Sequence, residues 1–147
     1  MAEAIGTLGT AVGVASLGIQ VCQGLITYFS AYKYQDAMVQ KVNQQISTLE
    51  SLLSLSRDLL RSLSQDHSPM VVQVEALVVQ CRSSVVELGV VLERCNPGSR
   101  QNGLTHHVQR KVQGALFPFR LETLQNVQKD VGIIQDNLNL AFNLLQL

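Results

Sequence analysis

Apolar residues return every three or four positions along three separate stretches of this chain. That rhythm fits helices and excludes strands, which would alternate at every second residue. The first seam runs Val39, Val42, Ile46, Leu49, Leu53, Ser56, Leu60 and Leu63. The second runs Val71, Val74, Val78, Cys81, Val85, Leu88, Leu92 and Cys95, and the third Leu121, Leu124, Val127, Val131, Ile134, Leu138, Ala141 and Leu145. Alternating steps of three and four are the left-handed bundle pattern. Leu52, Leu59, Leu77, Val91 and Phe142 widen the stripes, as helices packed on more than one neighbour require.

Punctuation divides the helices. Asp36 is placed to cap the first seam, and Ser68 with Pro69 to open the second, because proline at the first helical position has no donor to waste. Asn96 to Gly103 reads as a loop. Thr105 can cap a short helix through Val108, Val112 and Leu116, which Pro118 interrupts by removing a donor and crowding the preceding turn. The expected helices are 4–31, 36–65, 69–95, 105–117 and 119–146. The fold class is therefore all-α: an antiparallel bundle of four long helices plus a short helix before Pro118. Residues 1–147 read as one domain, the N-terminal part of a longer protein, since the last seam runs into Leu147 without a stop signal. Ile46, Leu49, Leu53, Val78, Val85, Leu124, Val131, Ile134 and Leu138 sit mid-seam and are expected in the core.

The N-terminal stretch is different. From Ala4 to Tyr32 there are 29 positions without a charge. A bilayer needs about 20 apolar residues, yet Gln20, Gln23 and scattered Thr, Ser and Gly dilute the run. A core or semi-buried helix of the resting fold fits it better than a constitutive span. Gly6, Gly9, Gly13, Gly18 and Gly24 each weaken an isolated helix by ~1 kcal/mol relative to Ala, so this helix depends on its surroundings. Gly9-Thr10-Ala11-Val12-Gly13 spaces two glycines as close helix association requires.

Composition narrows the function classes. Charged residues are 15% of the chain, against a usual share nearer ~25%, and 11 basic residues balance 11 acidic ones. No basic surplus marks a nucleic-acid partner. Cys22, Cys81 and Cys95 are odd in number and widely spaced, which fits a reducing compartment and three free thiols. No phosphate-binding Gly-rich loop, His-Glu-x-x-His or Gly-x-Ser-x-Gly occurs. His106 and His107 are neighbours on a turn of 3.6 residues and point about 100° apart. Neither an enzyme nor a resident cofactor or metal is expected.

The opening carries an acidic Glu3, Gly6-Thr7-Leu8-Gly9, Val12-Gly13-Val14-Ala15-Ser16-Leu17, Gly18-Ile19-Gln20-Val21-Cys22, Gly24-Leu25 and Tyr28. The closing part carries Phe119-Arg120-Leu121-Glu122-Thr123-Leu124 and Leu138-Asn139-Leu140-Ala141. Together these resemble the HeLo-like helical domain at the N-terminus of fungal NOD-like receptors and related STAND proteins. The resemblance implies a helical bundle used in programmed cell death or heterokaryon incompatibility, similar in logic to the bundle of necroptotic pseudokinases. It implies a membrane-targeting effector that is cytoplasmic at rest and at the plasma membrane when activated. Its implied partners are further copies of itself, membrane lipid, and a receptor or amyloid signalling module. The apolar N-terminal helix is then the segment that inserts or associates, through Ile5, Leu8, Gly9, Val12, Gly13, Leu17, Val21 and Leu25. The alternative is a soluble homotypic or heterotypic interaction domain whose first helix stays packed.

Overall fold

The computed structural model describes residues 10–32, 36–63, 65–95 and 120–146. Among them every regular element is a helix: α1 Ala11–Ser30, α2 Ala37–Ser62, α3 Pro69–Val79, α4 Arg82–Cys95 and α5 Leu121–Gln146. The expected short helix 105–117, the loop at 96–103 and the first turns from residue 4 lie outside the described residues.

Side-chain caps set three of the starts. The Thr10 hydroxyl accepts from the Gly13 N–H at 3.0 Å and opens α1. Asp36 Oδ1 accepts from Val39 N–H at 2.9 Å and opens α2. Ser68 Oγ accepts from Val71 N–H at 3.3 Å, with Pro69 in the first turn of α3. Each satisfies a donor that the helix itself cannot, at a typical gain of ~1 kcal/mol.

Two boundaries differ from the sequence reading. α2 ends at Ser62 rather than near residue 65, with Leu63 as its C-cap. The expected single helix 69–95 is two helices, divided at Gln80 and Cys81. There the Cys81 N–H bonds the Val78 carbonyl at 3.0 Å, three residues back instead of four. The Leu77 carbonyl takes the Cys81 thiol instead, at 3.6 Å. This is a tightened turn inside a helical run, in a stretch whose five β-branched valines favour helix only weakly. The apolar seam passes through the break, since Val78, Cys81 and Val85 are all buried.

The core joins all five helices. All nine residues expected in it are buried, and Ile46, Leu49, Leu53, Ile134 and Leu138 are wholly so. Leu121, expected to open the last seam, is 61% exposed and does not belong to the core. It is the first residue of α5, ahead of the turn where that helix meets its neighbours.

α1 packs chiefly on α2, and also on α4 and α3, while α5 packs on α3, α2 and α4. The register is visible in single contacts. The Asn43 amide donates to Ser30 Oγ at 3.1 Å, and Gln128 Nε2 donates to Gln45 Oε1 at 3.0 Å. Gly18 faces Leu53 and Val85, Gly24 faces Leu92, and Gly89 faces Val21.

Gly18 and Gly24 are the glycines that allow close approach. A Cβ at Gly18 would lie 2.8 Å from Leu53 Cδ1, and one at Gly24 would lie 2.6 Å from Leu92 Cδ2. Leu53 is wholly buried and has nowhere to turn, whereas Leu92 is half-buried and can swing outward. Alanine gains ~1 kcal/mol of helix propensity at either site, and overpacking costs ~1–3 kcal/mol where the neighbour cannot yield. Gly18→Ala is therefore expected to lower stability by ~1 kcal/mol, and Gly24→Ala to be neutral or slightly stabilising. Leu53→Ala or Ile134→Ala should cost ~2–5 kcal/mol. Denaturant melts check all four; equal effects of the two glycine changes would contradict the packing argument.

Candidate functional site

The charge-free segment becomes an amphipathic helix with an uncharged polar face. Ala11, Ala15, Gly18, Cys22, Leu25 and Phe29 form its buried stripe, flanked by Val14, Ile19 and Val21. On the other side stand Gln20, Gln23, Thr27 and Ser30, all exposed, with half-buried Ser16 at the start of the same row. The exposed row steps by four, three, four and three, which is one helix face. Thr27 donates its hydroxyl to the Gln23 carbonyl at 2.9 Å, inside its own helix. Leu25 and Phe29 are among the largest wholly buried side chains in the domain. Each contributes ~1.5–3 kcal/mol through burial.

The residues expected to insert or associate are divided by this packing. Val21 and Leu25 are buried, Gly13 is buried near the helix start, and Val12 and Leu17 are half-buried against the core. Ile5, Leu8 and Gly9 lie outside the described residues, and with Gly9 goes half of the Gly-x-x-x-Gly unit. The apolar face that would meet lipid is thus the face that holds α1 in the resting core. Loss of α1 would uncover Leu53 and its neighbours, so the remaining helices need α1 to close the core.

The sequence reading missed one polar feature of the interior. Asp130 on α5 is 5% exposed, and Ser84 on α4 is 4% exposed. The Ser84 hydroxyl and the Glu87 carboxylate, both from α4, lie within hydrogen-bond reach of the Asp130 side chain. Its Oδ1 is buried with no partner. Loss of solvent first, then the Glu87 contact and charge, push the Asp130 carboxyl up to about 7, against weaker opposing effects of Lys129 and Ser84. The pattern of the third seam placed Asp130 beside Val131, next to the apolar stripe rather than on the solvent face, and that was the available signal.

The three cysteines are free and buried. Burial pushes the Cys22 and Cys95 thiols up to about 12, and raises Cys81 as well. Such thiols are protonated and poorly nucleophilic. Among the described residues no three of His, Cys, Asp and Glu come together to hold a metal ion. His67 is exposed in the connection before α3, and His106 and His107 lie outside the described residues. Between α2 and α5 runs an open groove lined by Leu52, Leu55, Leu59, Phe142 and Leu145, with Asn139 and Asn143 on its rim.

No family model matches the chain, and no solved structure matches it. It is similar to the azaphilone pigments biosynthesis cluster protein L of Monascus ruber, with 34% identity over 140 residues. That match covers 91% of this chain and 28% of the relative, so the chain spans little more than a quarter of that protein's length. The chain is thus homologous to part of a fungal protein, and the helical structure of its described residues is compatible with the resemblance described above.

Two outcomes follow from the buried groups. Asp130 ionises near neutrality in the fold and at about 3.9 in an unfolded chain, so the unfolded state gives up its proton first. Stability contributed by the protonated form is whole below pH 4 and is lost as pH rises towards 7. Asp130→Asn should remove this loss and leave the variant more stable than the parent at pH 8, by on the order of 2 kcal/mol, in paired denaturant melts. Parent and variant losing stability in parallel over pH 4–8 would contradict the assignment. Thiol titration of the folded protein at pH 8 should proceed slowly, and three thiols should react at once in denaturant; prompt reaction in the folded state would contradict the burial of the cysteines.

Proposed function

We propose that this is a HeLo-like domain, an antiparallel bundle of helical arms, that acts at a membrane by releasing α1 from its own core. The registers support the arrangement: Ser30 meets Asn43 while Gly18 meets Leu53, so residue numbers fall along α2 as they rise along α1. Likewise Cys81 approaches the Ile134 carbonyl, while Val74 and Val78 share a pocket with Ala141 and Leu145.

One observation carries the membrane reading. Ala11–Ser30 is 20 residues long, free of charge, and the helix among those described that is long and apolar enough to cross a membrane. Its outer row is polar but uncharged, so insertion does not require burying an ion. Gln and Thr can instead bond across to other copies of the helix in lipid, at roughly 0.6–2 kcal/mol per contact. In this reading the domain rests in the cytoplasm, assembles with further copies of itself under a receptor or amyloid signalling module, and then engages plasma-membrane lipid. A role in fungal cell death or incompatibility follows from the resemblance. The relative's place in a pigment biosynthesis cluster neither requires nor opposes it.

A second reading is favoured by a specific fact: half of the apolar window of α1 is buried inside the domain. The core helix of a soluble interaction domain has that character. The two readings part on a charge placed in the exposed row. Gln20→Arg and Gln23→Arg leave every core contact in place, so the thermal transition should move little. In lipid each arginine costs ~2.5–3.5 kcal/mol near mid-bilayer. Folded variants are expected to lose dye release from vesicles by about 100-fold or more. If they bind and permeabilise like the parent, α1 does not insert. If the parent never binds vesicles even when forced to oligomerise, the soluble interaction domain is the correct reading.

A further inference from the structure

We propose that the Asp130–Glu87–Ser84 cluster is a proton-operated latch between α5 and α4, and that its ionisation loosens the hold of α4 on α1. The geometry places α4 between the two partners. Towards α1, Val85, Gly89 and Leu92 face Gly18, Val21 and Gly24. Towards α5, Ser84 and Glu87 face Asp130. The same three turns of α4 therefore hold the first helix on one side and the buried carboxyl on the other.

The state of one proton decides whether that second contact attracts or repels. With Asp130 protonated at the oxygen that meets α4, that hydroxyl can donate to the Glu87 carboxylate and accept from the Ser84 hydroxyl, while the unpartnered Oδ1 stays uncharged. With the proton gone, two carboxylates face each other across the seam. Ser84 has one hydrogen to give, and the buried Oδ1, already without a partner, then carries charge on a residue only 5% exposed. A buried anion without compensation is unstable, and a shift of α4 that admits water relieves it; because the same turns carry Val85, Gly89 and Leu92, that shift also disturbs their fit against α1. The other groups around Asp130 do not neutralise it fully. Lys129 on its own helix is exposed. The α3–α4 elbow brings the Cys81 thiol towards the Ile134 carbonyl, one turn along. α2 meets this part of α5 through the uncharged amides of Gln45 and Gln128. The latch is closed in acid and loosens as pH rises through neutrality.

Cys22 supplies the readout, because it is wholly buried on the packed face of α1. Site-resolved labelling of Cys22 by a soluble thiol reagent, in the intact 147-residue chain between pH 5 and pH 8, measures how often α1 opens. Dividing the parent rate by that of Asp130→Asn at each pH cancels the intrinsic ionisation of the thiol. That ratio should rise about tenfold from pH 5 to pH 8. Glu87→Gln changes an exposed residue and so keeps the fold; it should flatten the parent's rise. If Asp130→Asn does not fold, the parent-to-Glu87→Gln ratio over the same range takes its place and should rise as well. A ratio that stays constant with pH overturns the latch. No membrane is present, so this outcome is separate from the test of vesicle binding: a domain that never meets lipid can still show the latch, and one that permeabilises vesicles can lack it.

Discussion

The fold depends on how a helix without a single charge is held. α1 offers α2 and α4 a face thinned by Gly18 and Gly24, so that Leu53 and Leu92 lie where a side chain would otherwise begin. Glycine makes the helix weak by itself, and the same glycines let its neighbours approach closely enough to hold it. Local propensity and tertiary packing therefore pull in opposite directions along α1, and packing prevails because Leu25, Phe29 and Cys22 are removed wholly from water. A helix of this kind is conditional on its surroundings, which is the physical basis for proposing that it can exchange one apolar environment for another.

The interior is not uniformly apolar. Asp130 enters the seam where α5 meets α4, next to Ser84 and Glu87. A well-packed apolar pair there would be more stable over most of the pH range. The carboxyl instead makes that interface conditional on a proton, as the glycines make the α1 interface conditional on neighbours. Both conditional contacts involve α4, which is also the helix separated from α3 by the tightened turn at Cys81.

Much of this was legible in the sequence. Seams of three-four spacing identified α2, α3 with α4, and α5, because charged residues on the opposite faces made the periodicity sharp. Asp36 and Ser68 cap where their side chains predict, since an N-cap is a local hydrogen bond needing no tertiary partner. α1 was legible as a helix but not as an amphipathic one: Gln20, Gln23, Thr27 and Ser30 form its outer row, and uncharged polar residues contrast weakly with Ala and Gly. The break at Cys81 was hidden because the apolar seam continues through it. The roles of Gly18 and Gly24 were hidden because their partners, Leu53 and Leu92, come from distant parts of the chain. Asp130 stands beside the seam in the sequence, three residues after Val127 and four before Ile134, but its pairing was hidden for the same reason, since its partners come from another helix.

The most direct test of the account is native-state hydrogen exchange of the α1 amides at pH 5, where the latch is closed. If α1 is an integral part of the resting core, amides from Cys22 to Phe29 exchange only through the global opening that also exposes Leu49–Leu53 of α2 and Val131–Leu138 of α5, with equal opening free energies. Exchange of the α1 amides through a separate and much easier local opening, with α2 and α5 still protected, would contradict the claim that the packing of α1 holds the domain together.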